Sequence, residues 1–349
     1  MSYQYDVVLR PASGLRLHLN ENTAGCSPRV IEAVRSITRH DAAFYPDYGA
    51  AIAACAALLN VDPNRFILTN GLDEAILAIT VAALRDRGEK RPEAIVVMPA
   101  FDMYASTSDG AGATVVEVAL GDDFAFSRSN VLDAINERTR LLFLTSPNNP
   151  TGQLISADDV VTIAGAAPHV LIFLDEAYAD FAGVTLLNDP RATSLPNVVI
   201  GRTFAKAYGI AGLRAGVVVG DPATLDCLRR IVPPFSVNAC AAAAITAGLS
   251  DVDYYEWYLA QVRQSKALLY GALKRLGLRF WPSAANFVLV HLGGDAKRVV
   301  EGLAARDVHV RDKSRDPACP GCIRITAGVV EHTEACIRAL EEVMCAAGS

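Results

Sequence analysis

"GRTFAKAYGIAGLRAG" spans residues 201–216, and its single lysine, Lys206, has no acid within the stretch to pair with it. An unpaired buried ammonium is costly. A lysine in such small-residue company is therefore either a surface group on a glycine-rich turn or an amine placed to react. The flanks bear on the choice. "NVVIGRTF" (197–204) leads into the stretch and "AGVVVG" (215–220) leads out of it. Both are short, apolar and rich in β-branched residues, as strands are.

Similar runs lie upstream: "RFILT" (65–69), "AIVVMP" (94–99), "TVVEVAL" (114–120), "RLLFLT" (140–145) and "VLIFLD" (170–175). Helical segments separate most of them, among them "LDEAILAITVAALRDRG" (72–88) and "ADDVVTIAGAAP" (157–168). Uninterrupted apolar strands alternating with helices predict a mostly parallel sheet covered on both faces. Beyond Asp221 the pattern changes to long helices, "ACAAAAITAGLS" (239–250) and "DYYEWYLAQVRQSKALLYGALKRLG" (253–277). A shorter α+β tail follows, with strands in "NFVLVHL", "VHVRD" and "CIRITAG" and a final helix in "HTEACIRALEEVMCAA". The expected fold is α/β, a mostly parallel seven-stranded-type sheet with helices on both faces plus a smaller α+β domain. Residues 45–250 form the large domain, 1–44 with 270–349 the small one, and 251–269 a linking helix.

Of the 349 residues, 52% are hydrophobic, enough for a large core, and the net charge is −6. No long basic run points to nucleic acid, and no stretch of about 18 apolar residues points to a membrane span. The first residues, "MSYQYDVVLRPASG", carry no apolar signal core. A soluble, cytoplasmic protein is expected. Most of the eight cysteines stand singly in apolar segments, as small core residues of a reducing compartment do. Cys319 and Cys322 form a C-x-x-C, but no second pair completes zinc spacing, so they are read as free thiols and no metal is expected.

In open α/β sheets the site lies at the carboxyl ends of the strands. Asp175 ends "VLIFLD", where a carboxylate after five apolar residues must be paired or poorly solvated. A metal ligand, a general base and a partner for a cationic ring nitrogen are all open to it. Tyr178 follows three residues later. "TSPNNPTG" makes a rigid turn that offers the Asn149 amide. "TNGLDEAIL" opens a helix at Gly71, Leu72 and Asp73, whose free N–H groups make a phosphate seat, although Asp73 equally suits a plain cap. Tyr104 in "PAFDMYA" is an aromatic face for a planar ligand. Together these supply a phosphate seat, a stacking ring, a carboxylate for a pyridinium and a reactive lysine. Pyridoxal 5'-phosphate needs that whole set.

The chain resembles the fold-type I pyridoxal-phosphate aminotransferases, and among them the histidinol-phosphate aminotransferases. The likeness runs through "LHLNEN", "FYPDYG", "TNGLDEAI", "SPNNPTG", "LDEAYADF", "GRTFAKAYGIAGLRAG", "PPFSVN", "AANFVLV" and "CIRIT". It implies an aspartate aminotransferase-like large domain. Lys206 would hold the cofactor covalently, Asp175 would face its ring nitrogen, Asn149 and Tyr178 its ring oxygen, and Tyr104 its ring face. Leu72, Asp73, Thr203 and Arg214 would meet its phosphate. It also implies a homodimer with shared sites, in which Tyr45 reaches the partner's cofactor. Arg324 would bind the substrate carboxylate, Arg311 of "VRD" the substrate phosphate, and Asn22 would join them. The implied reaction is ping-pong transfer of an amino group, most readily from histidinol phosphate, to 2-oxoglutarate. Three positions depart from the family pattern: Ala205 and Ser236 stand where serine and asparagine are common, and Ala24 where a tyrosine helps bind phosphate. They leave open an aromatic or other plain amino donor, and a decarboxylase or lyase on the same cofactor. A dinucleotide-binding oxidoreductase fits poorly, because no G-x-G-x-x-G follows a strand and opens a helix.

Overall fold

In a computed structural model, residues 11, 13–85 and 91–346 are described. Among them twelve strands form two sheets: β1 (Leu15–Leu17), β2 (Phe66–Thr69), β3 (Glu93–Met98), β4 (Thr114–Ala119), β5 (Thr139–Thr145), β6 (Leu171–Asp175), β7 (Val198–Thr203), β8 (Gly216–Val219), β9 (Arg279–Trp281), β10 (Phe287–His291), β11 (Val308–Asp312) and β12 (Cys322–Thr326). The larger sheet has the order β2-β8-β7-β6-β5-β3-β4 and contains the five upstream runs and the two that flank the lysine stretch. β8 is antiparallel to both β2 and β7, while the β7-β6-β5-β3-β4 contacts are parallel.

Burial on both faces explains the unbroken apolar runs. Along β5, Leu141 and Phe143 face one core with Ile76 and Phe173, while Leu142 and Leu144 face another with Val160 and Ile163 of the helix Ala157–Ala166. Leaving one methylene of such a side chain in water instead would cost about 0.8 kcal/mol. The parallel strands end together on Thr145, Asp175 and Thr203, so polar side chains gather at one edge of an apolar slab. β2 runs parallel to β7, being two antiparallel steps away, and its carboxyl end brings the start of the helix Gly71–Leu84 to that edge.

The second sheet has the order β1-β11-β12-β10-β9, with β1 and β11 parallel and the other contacts antiparallel. Its β1 and β9 are three residues long, too short for a periodic signal in the sequence. The helix Val252–Arg275 spans two cores, with Leu259 packed beneath β2 and β8 and Leu269 and Leu273 beneath the second sheet. It therefore runs past the expected end at 269. The expected grouping of residues 1–44 with the C-terminal sheet needs correction. Leu15–Leu17 joins that sheet, but Val30 of the helix Pro28–Arg35 lies in the core with Phe66, Val217 and Ala241. The reason is that one face of this helix is covered by the helix Ala239–Ser250. Cys319 and Cys322 are buried as free thiols beside Trp281 and Leu289, and burial pushes the Cys322 thiol up to about 11.

Candidate active site

A cavity of about 300 Å³ opens where the ends of β5, β6 and β7 meet the second sheet. Lys206, Asp175, Tyr178, Leu72, Asp73, Tyr104, Asn149, Thr203, Arg214, Arg311 and Arg324 all line it. Lys206 lies in the connection that turns β7 back into antiparallel β8, closed by the Phe204 N–H on the Ala215 carbonyl at 3.1 Å. Its amine donates to the Leu19 carbonyl at 3.0 Å and stands 5.8 Å from the centre of the Tyr178 ring. It thus reaches across the cavity to a neutral acceptor.

Asp175 is 5% exposed. Its Oδ2 accepts from the Tyr104 hydroxyl at 2.6 Å and its Oδ1 from the Ala177 N–H at 2.8 Å. Burial raises its pKa above the ordinary carboxylate value; these two bonds pull it down, the Asp73 charge adds to the rise and Lys206 opposes it. The arrangement is a desolvated carboxylate supplied with neutral donors, which favours a cation placed against it. Tyr178 accepts from Asn20 Nδ2 at 3.1 Å, and its ring meets Phe287 edge-on.

At the start of the helix Gly71–Leu84, Arg214 Nη2 donates to Asp73 Oδ2 at 2.6 Å. Gly71 has φ +72°, and a Cβ there would lie 2.6 Å from Arg214 Nη2. Only a residue without a side chain lets the guanidinium approach the helix end. Thr203 Oγ1 accepts from the Ala205 N–H at 3.2 Å beside this seat. Arg324, on β12, donates to the His18 carbonyl at 2.8 Å through Nη2 and to Asn149 Oδ1 through Nη1.

The structure corrects two expectations and leaves one residue elsewhere. Tyr104 is 1% exposed, and its ring stacks on Phe143 at 4.7 Å while its hydroxyl holds Asp175 and receives Thr145 Oγ1 at 3.1 Å. A ring packed in this way has a neighbour where a ligand would stack. Phe101, half-buried and lining the same cavity, is the aromatic better placed to do so. Asn22 does not line this cavity: its Nδ2 donates to the Ala207 carbonyl at 3.0 Å and its Oδ1 accepts from the Ala24 N–H at 3.0 Å. Main-chain groups therefore occupy both ends of the amide, and Asn20 is the asparagine of "LNEN" that faces the site. Tyr45 is 78% exposed, stacked on Phe235 at 4.3 Å, and lies away from its own chain's cavity. Lys313 also lines the cavity and is absent from the expected set; its spacing of two residues from Arg311 on a strand was the available signal.

Comparison with known proteins agrees with this geometry. The family model "Aminotransferase class I and II" matches residues 12–341. The histidinol-phosphate aminotransferase of Symbiobacterium thermophilum is 35% identical over 333 residues, covering 95% of this chain and 90% of its own. Histidinol-phosphate aminotransferase 2 of Ralstonia nicotianae is 36% identical over 347 residues, covering 97% and 91%. Among solved structures, histidinol-phosphate aminotransferase from Sinorhizobium meliloti in complex with pyridoxal-5'-phosphate superposes with a TM-score of 0.86 at 28% identity, covering 96% of this chain and 92% of that one. Thermus thermophilus aspartate aminotransferase with maleate, 24% identical with a TM-score of 0.80, shares the fold. A half-buried lysine and a buried carboxylate on an aspartate aminotransferase-like sheet, a family match along nearly the whole length and relatives of this one activity lead to one conclusion: the chain belongs to the class I and II aminotransferases and is an enzyme of the histidinol-phosphate aminotransferase kind.

Proposed function

We propose that the cavity holds pyridoxal 5'-phosphate and transfers an amino group from histidinol phosphate to 2-oxoglutarate. The observation that carries this reading is the convergence of Lys206, Asp175 and the glycine-opened start of the helix Gly71–Leu84 in one cavity. The residues fit the cofactor. The cradle at Gly71, which a Cβ would fill, joins main-chain N–H groups to Arg214 and suits a phosphate. Asp175, desolvated and held by neutral donors, suits a protonated ring nitrogen. Tyr178 would meet the ring hydroxyl, Phe101 the ring face, and Lys206 would hold the group covalently. When bound, the cofactor supplies an electron sink for charge developing at the substrate Cα.

The chain's own residues do the rest. Asp175, ionised, keeps the ring nitrogen protonated. Tyr104 orients that carboxylate, its phenol kept un-ionised by burial and by the Asp175 charge. The Lys206 amine, once free, takes the proton from the substrate Cα and returns it on the other side of the transfer as general base and then acid. Arg324, oriented by Asn149 and the His18 carbonyl, meets the carboxylate of the oxo-acid acceptor. Arg311 meets the distal phosphate of the donor.

The active unit in this reading is a homodimer. Support comes from Phe44, Tyr45 and Phe235, large aromatic side chains left exposed with Tyr45 outside its own cavity. We place the enzyme in the cytoplasm, in keeping with eight unpaired cysteines; among the described residues no helix is long and apolar enough to cross a membrane. The test is borohydride reduction of the loaded protein and peptide mapping, followed by single turnover with a panel of amino donors. A pyridoxyl group on Lys206 and fastest turnover with histidinol phosphate are expected. An adduct on another lysine would overturn the site, and a faster plain amino acid would overturn the substrate.

A further inference from the structure

We propose that Lys313 is a second cation for the distal anionic group of the substrate, acting beside Arg311 and selecting donors that carry a phosphate dianion. This rests on the phosphorylated-donor reading above and names a residue for it. β11 and β12 are antiparallel, and Arg311 lies directly opposite Arg324. Like charges opposite one another weaken a sheet pair unless an anion lies with them. Lys313 follows two residues after Arg311, and its N–H reaches the Cys322 carbonyl at 3.0 Å, so the ladder continues one residue past the strand. Alternation then puts the side chains of 311 and 313 on one face. All three cations line the cavity.

Two acids near this wall have fixed partners. Glu21 has both oxygens on Arg16, at 2.5 and 2.6 Å. Asp316 accepts from Lys313 Nζ at 3.1 Å and is itself fixed by the Ala318 N–H at 3.1 Å. His18 and His309 flank the same end, and burial holds the His18 pKa below its ordinary value, so its ring adds no charge at neutral pH. Lys313 thus brings a third cation to the wall that carries Arg311 and Arg324, with Asp316 held against its ammonium. The Lys313 side chain is only 11% exposed, so its ammonium is aimed rather than free. An ammonium has three donors, and Asp316 occupies one. One arginine fork satisfies a carboxylate, whereas a phosphate has a third oxygen and a second charge left over, which suits a lysine point charge.

The test uses the loaded enzyme as wild type, Lys313→Met, Lys313→Arg and Asp316→Asn. It measures kcat and KM with histidinol phosphate and with histidinol, and competitive inhibition by inorganic phosphate. Lys313→Met is expected to raise KM for the phosphorylated donor and Ki for phosphate by about tenfold to a hundredfold, with kcat within about twofold. Histidinol kinetics should stay near wild type, and Lys313→Arg should restore most of the loss. Asp316→Asn, which keeps the lysine and removes its competing anion, should tighten phosphate inhibition, and it decides the matter if Lys313→Met does not fold. Unchanged KM and Ki in Lys313→Met, or unchanged or weaker phosphate inhibition in Asp316→Asn, overturn the role of Lys313 while a wild-type preference for histidinol phosphate leaves the parent reading intact. Equal turnover of histidinol and histidinol phosphate by wild type overturns both.

Discussion

Replacing Asp175 by asparagine should change stability in opposite directions with and without the cofactor. In the protein alone, Asp175 is a carboxylate at a strand end, held by one phenol and one main-chain N–H and raised in pKa chiefly by burial. A folded-state pKa above the unfolded value of about 3.9 means that the native state binds the proton more tightly than the unfolded chain does. Below that unfolded value both states are protonated and the residue is neutral to stability. As pH rises from the unfolded pKa through the folded one, the unfolded chain releases its proton while the native state still holds its own, and stability is lost. The loss is about 1.4 kcal/mol for each unit of elevation, constant once pH exceeds the folded pKa. The substituted amide carries no such charge and still offers Tyr104 and the Ala177 N–H a polar partner.

Cofactor-free Asp175→Asn should therefore match wild type near pH 4 and unfold at higher denaturant near pH 8. Adding pyridoxal 5'-phosphate should reverse the order, because only the carboxylate gains a cation, and a ligand stabilises in proportion to its affinity. Denaturant midpoints at several pH values, with and without cofactor, measure both arms. A cofactor-free mutant less stable than wild type at pH 8 would refute the reasoning, since an internal cation would then already balance Asp175. So would a difference that does not vary with pH.

Tyr104→Phe keeps the ring and removes the hydroxyl that holds Asp175 at 2.6 Å, so it separates a stacking role from a positioning one. Loss of a buried bond to a charged group, worth about 1.5–3 kcal/mol, should lower kcat by about tenfold or more, with KM little changed and the absorption spectrum of the bound cofactor altered at the acid end of its pH range; wild-type rates and spectra would leave Tyr104 as packing. Mixed dimers of Tyr45→Ala and Lys206→Ala subunits should recover part of the activity that each lacks alone, because one of the two shared sites is then intact. Absence of recovery in mixed dimers shown to form by mass would remove Tyr45 from the partner's site.

Much of the fold and site was legible in the sequence because its signals are local. Most of the seven apolar runs of the large sheet read as strands since the central ones are buried on both faces, and a polar residue closing such a run, as Thr145, Asp175 and Thr203 do, marks the edge where the site lies. Lys206 was visible because nothing in its stretch could neutralise it. Gly71 with Asp73 was visible as a strand leading into a helix start.

The tertiary structure decided what depends on direction and on distant neighbours. "AGVVVG" has the same apolar content whichever way it runs, and only its register against β2 and β7 makes it antiparallel. Phe101 and Tyr104 are both aromatic, and the sequence does not say which of them packs on Phe143, 42 residues after Phe101 and in strand β5. "LNEN" holds two asparagines. The left-handed backbone at Asn20, φ +54°, and the Ala207 carbonyl that captures Asn22 choose between them. Arg311, Arg324 and Lys313 lie up to 13 residues apart in the chain, and only the pairing of β11 with β12 gathers them on one wall. Composition and periodicity report what a residue prefers locally. Which polar groups share a desolvated space is set by long-range packing, because their energies depend on neighbours that the chain brings from elsewhere.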